Sequence, residues 1–66
     1  MIKKMWWIAD DQADAKKMAT ELLEKGALNI RICGEDPIGV FFSVDTNTVE
    51  DVLGYVPDED EYLEKP

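Results

Sequence analysis

The stretch Leu28-Asn29-Ile30-Arg31-Ile32-Cys33-Gly34-Glu35-Asp36-Pro37-Ile38-Gly39-Val40-Phe41-Phe42-Ser43-Val44 holds two alternating runs around a single breaker. Leu28, Ile30 and Ile32 alternate with Asn29, Arg31 and Cys33, the period-two pattern of a strand with one buried face. Ile38, Val40, Phe42 and Val44 repeat it against Gly39, Phe41 and Ser43. Gly34-Glu35-Asp36-Pro37 between them is turn chemistry, since proline restricts φ and offers no N–H to a ladder. An antiparallel hairpin is expected.

Upstream, Ala15, Met18, Ala19, Leu22 and Leu23 recur at i, i+3, i+4, i+7 and i+8, one apolar stripe of an amphipathic helix. Asp11 and Asp14 have the spacing of a capping box, and Gly26 stands where a left-handed C-cap belongs, so a helix is predicted over 11–25. Before it, residues 2–9 (IKKMWWIA) carry β-formers and no breaker, which predicts a first strand. Downstream, Val49, Val52, Leu53 and Val56 follow helical spacing, with Asn47/Glu50 and Thr48/Asp51 as candidate capping boxes. Gly54 and Pro57 confine that second helix to 48–54.

The order β-α-β-β-α is that of an α+β fold, a two-layer split βαβ arrangement. The strand order 1-3-2 and both helices on one face follow from a right-handed crossover and a hairpin. This is a ferredoxin-like architecture lacking a regular fourth strand, for which Tyr55-Val56 or Tyr62-Leu63 would be a short substitute. The expected core is Leu22, Leu23, Ile30, Ile32, Val40, Phe42, Val52 and Leu53. Residues 1–56 read as one domain and residues 57–66 as an acidic C-terminal tail.

The chain has 66 residues, fifteen acids against seven bases, and a formal charge of −8. An apolar fraction of 45% is ordinary for a folded domain. Histidine is absent and Cys33 is the single cysteine, so the usual general base, a thiolate zinc site and an intrachain disulfide are excluded. No catalytic constellation, phosphate loop or cation-loop spacing is visible, and a non-enzymatic protein without cofactor or metal is expected. The apolar run Met5–Ala9 is too short for a secretory signal, and no stretch could span a bilayer, which points to the cytoplasm.

The charge is uneven. Residues 1–44 hold seven acids and six bases, whereas residues 45–66 hold eight acids and Lys65 alone. Asp58, Glu59, Asp60, Glu61, Tyr62, Leu63 and Glu64, with Glu50 and Asp51, are therefore the candidate partner-binding residues. Carboxylates along a short helix and tail can stand in for phosphates and occupy the cationic patch of a nucleic-acid-binding protein. In composition the chain resembles the small acidic inhibitors made by phages and mobile elements, DNA mimics among them. The partner expected is a basic protein surface, not nucleic acid or membrane directly, because a net −8 repels phosphate. A second reading rests on the sheet. Trp6 and Trp7 are neighbours on a strand and point to opposite faces, so one of them is uncovered. Trp7, with Phe41 and Arg31, is the expected open-face set, through which two copies would pair as a homodimer.

Overall fold

A computed structural model describes residues 1–63. It contains β1 (Ile2–Ile8), α1 (Gln12–Lys25), β2 (Leu28–Cys33), β3 (Gly39–Asp45), α2 (Val49–Leu53) and a short 3-10 turn (Glu59–Glu61). The sheet has three strands in the order β1-β3-β2, and β3 runs antiparallel to both neighbours. Both helices cover the same side, so the fold is the expected α+β split βαβ layout. Among the described residues, no helix is long and apolar enough to cross a membrane.

The ends of α1 follow the local chemistry. The Asp14 backbone N–H donates to the Asp11 carboxylate at 2.8 Å, and the Asp14 carboxylate accepts from the Asp10 backbone N–H at 3.0 Å. Gly26 closes the helix at φ 103°, with its N–H directed to the Leu22 and Leu23 carbonyls. The α2 start differs from expectation. Neither the Asn47/Glu50 nor the Thr48/Asp51 box forms; instead the Asp45 carboxylate accepts from the Asn47 N–H at 3.0 Å, and Thr48 caps without a side-chain hydrogen bond.

Val40, Phe42 and Val44 on the central strand are fully buried. They pack with Met5, Ala15, Leu22, Val49 and Val52, while Ile30 and Leu53 lie partly buried at the margin. Two expected core residues are not in it. Leu23 is 68% exposed, because it falls at the edge of the α1 stripe, and Ile32 is exposed on an edge strand beside the hairpin turn. Leu28 also leaves the buried phase. It pairs with Ser43 while Arg31 pairs with Phe41, so β2 carries one extra residue between them. Asn29 absorbs that bulge at φ 52°, a left-handed conformation that asparagine tolerates.

Candidate functional site

The acidic C-terminal segment is folded onto β1. Pro57 is buried, and the Asp58 N–H donates to the Glu61 carboxylate at 2.6 Å while the Asp58 side chain accepts from the Glu61 backbone, a reciprocal cap of the 3-10 turn. Glu59 meets the Lys3 ammonium at 2.8 Å, and that ammonium lies 5.0 Å from the centre of the Tyr62 ring. The Leu63 N–H then donates to the Lys4 carbonyl at 2.9 Å, an antiparallel bridge on the free edge of β1. Tyr62-Leu63 thus stands where a fourth strand would start.

The candidate partner-binding residues are therefore not equivalent. Glu50 and Asp51 lie exposed in the first turn of α2, and Asp60 is exposed on the 3-10 turn. Glu59 is engaged by Lys3, and Asp58 and Glu61 hold one another's backbone. Tyr62 turns inward against the core and Lys3, which leaves Leu63 as the exposed apolar side chain of the segment. Tyr55, also nearby, has its hydroxyl pKa raised, first by burial and then by the negative charge of Glu61. Glu64 lies outside the described residues. Among the described acids, Asp45 (with the N-terminal amine, 3.5 Å) and Glu59 are the ones in ion pairs.

The second surface is the open side of the sheet. Strand register settles which tryptophan belongs to it. Trp7 pairs with Val40 and meets Phe42 edge-on at 5.1 Å, so it packs against the helix-covered core, and its assignment to the open face is corrected. Trp6 pairs with Phe41, whose ring lies 6.5 Å away, and Arg31 pairs with Phe41 from the other side. Phe41 and Arg31 are on the open face as expected.

Gly39 is part of this arrangement. A Cβ there would come within 2.6 Å of the Trp6 ring and would also strike the Trp7 carbonyl. The indole therefore lies across the glycine, covering backbone that has no side chain of its own. That glycine, one strand across from a tryptophan, is the signal that could have assigned Trp6 to the open face. By register, Ile2, Lys4 and Ile8 on β1 and Leu28 on β2 share it beyond the expected set, together with Cys33, which the alternation of β2 already put in phase with Arg31. Asp45 is the one acid of the three strands and lies at its margin, hydrogen-bonded to Asn47 and paired with the N-terminal amine.

A shallow groove runs between β1 and the C-terminal segment, lined by Ile2, Lys4, Ser43, Asp60, Tyr62 and Leu63. Among the described residues, no group of three or more histidine, cysteine or carboxylate side chains is placed to hold a metal ion. Compared with known protein families, curated proteins and solved structures, the chain shows no match.

Proposed function

We propose that this chain is a non-enzymatic binding domain that engages the basic surface of a nucleic-acid-binding protein through its carboxylates, in place of phosphate. The observation that carries the reading is the acidic surface of α2 and the 3-10 turn. Glu50, Asp51 and Asp60 are exposed there, and no lysine or arginine occurs between Asp45 and Glu64 to neutralise them. Holding the segment against β1 through Lys3, Tyr62 and Leu63 fixes Asp60 in space, as α2 fixes Glu50 and Asp51, and pre-arranged groups lose less freedom on binding. The action would be competitive inhibition or regulation, without turnover, as in the phage-type inhibitors whose composition the chain resembles. Electrostatic recognition of this kind accelerates encounter and weakens steeply with salt.

The test is competition. Proteins captured from the native cell and released by salt are purified and titrated with the chain in the presence and absence of their own nucleic acid. Mutually exclusive binding supports the reading. A ternary complex, or capture that survives molar salt, refutes it.

A further inference from the structure

Neither helix covers the open face of the sheet, on which Ile2, Trp6, Ile8, Leu28, Phe41 and Leu63 lie by register, with Trp6 and Phe41 half-buried. Ile8 is 63% exposed, and Ile2 and Leu28 are each 44% exposed. Scattered apolar side chains on a surface need no explanation, but six gathered on one sheet face, around the polar Lys4, Ser43 and Arg31, mark a contact. The covered side is thin by comparison. Among the described residues, three of the ten buried hydrophobic side chains are alanines (Ala9, Ala15 and Ala27), which makes a small core. Domains of this size commonly gain what they lack by association.

Charge selects the occupant. A second copy also carries −8 and is repelled wherever acids meet acids. The open face carries few of them: the three strands contribute Lys4 and Arg31 to it and a single acid, the already paired Asp45, while Glu59, held by Lys3, and Asp60 stand at its β1 rim. Face-to-face packing turns both helix layers outward. Each molecule is 18 Å across its shortest dimension, so acids on the two outer surfaces lie several Debye lengths apart at physiological salt, where that length is about 8 Å. Stacked nucleobases would use the Trp6–Phe41 pair but leave Ile2, Ile8 and Leu28 wet, and two cations oppose a net −8 poorly.

We infer that two copies of this chain pair through their open sheet faces, Trp6 and Phe41 at the centre, in an isologous helix–sheet–sheet–helix dimer. It does not depend on the acidic-surface reading, which rests on Glu50, Asp51 and Asp60, although the two surfaces meet at the rim formed by Asp60 and Leu63.

The test measures mass by size-exclusion chromatography with light scattering over a wide range of protein concentration. The wild type should rise from 7.5 kDa towards twice that value. Ile8→Glu, at an exposed site whose change cannot empty the core, should raise the half-dissociation concentration more than about tenfold. Phe41→Glu should act likewise with helical circular dichroism retained, and Leu23→Glu, an equal charge on the helix side, should leave the mass unchanged. A wild type monomeric at every concentration overturns the inference. So does a dimer that Leu23→Glu disrupts and Ile8→Glu spares. A monomer whose tryptophan fluorescence is quenched by single-stranded oligonucleotides would hand the face to nucleobases instead.

Discussion

Leu22 and Leu23 are adjacent leucines with opposite fates. Leu22 is 2% exposed in the core and Leu23 faces solvent, so truncation should separate them. Leu22→Ala should cost about 2–5 kcal/mol, lost transfer energy plus the cavity left behind, while Leu23→Ala should cost less than about 0.5 kcal/mol. Urea denaturation of the two variants checks this directly. Both leucines fit the apolar stripe as written; the stripe's centre becomes visible once α2 and the sheet define which side is covered. Asp45 offers a second test. The Asn47 N–H holds its carboxyl below the ordinary value of 3.8, assisted by the N-terminal amine and opposed by partial burial. A depressed folded pKa contributes stability above the ordinary value and loses it as pH falls through the folded one. The stability gap between wild type and Asp45→Asn should therefore be present at neutral pH and close on acidification below about pH 4. A gap that is constant with pH would assign the loss to the altered turn geometry rather than to charge.

At the scale of elements, what was legible in the chain is what is local. The hairpin itself, the alternation along β3, the Asp11 cap, the Gly26 stop and the 1-3-2 order all stand in the structure, because each depends on residues within a turn or two or on a topological rule. The β2 bulge was not legible, since Leu28-Asn29-Ile30 alternates as well as any regular strand. The seat of the C-terminal segment was legible only in part: Tyr62-Leu63 stood as one of two candidates for a short fourth strand, and Leu63 does bridge to β1, but the side-chain contacts that hold the segment there were not. It depends on Lys3 and Lys4, more than fifty positions away in the chain, meeting Glu59, Tyr62 and Leu63. That seat makes a prediction. Tyr62→Ala removes a half-buried ring and its contact with Lys3, at a cost of about 1–2 kcal/mol. It should also make the segment around residues 57–63 cleavable by protease while β3 amides stay protected from exchange. Unchanged cleavage would mean that Leu63 and Pro57 hold the segment without it.

At the scale of the whole molecule, charge is sorted by surface, and this decides how the acidic side must be probed. Neutralising all of Asp58–Glu61 would remove a reciprocal cap and the Lys3 partner along with the charge, so lost binding could reflect a loosened segment. Glu50→Gln, Asp51→Asn and Asp60→Asn together change charges that hold nothing else among the described side-chain bonds. The expected cost to α2 is a few tenths of a kcal/mol, from loss of favourable charge at its first turn. Against a basic target this triple variant should associate about tenfold more slowly at low salt, with dissociation altered much less. Raising ionic strength should erase the difference, since the Debye length shrinks from about 10 Å at 0.1 M to about 3 Å at 1 M. The matched control is Glu21→Gln, Glu24→Gln and Glu35→Gln, which removes the same charge from α1 and the hairpin turn. If both triples slow association equally, net charge rather than the α2 surface is responsible. If neither does, the phosphate-mimic reading falls, and the open sheet face becomes the better account of what this chain binds.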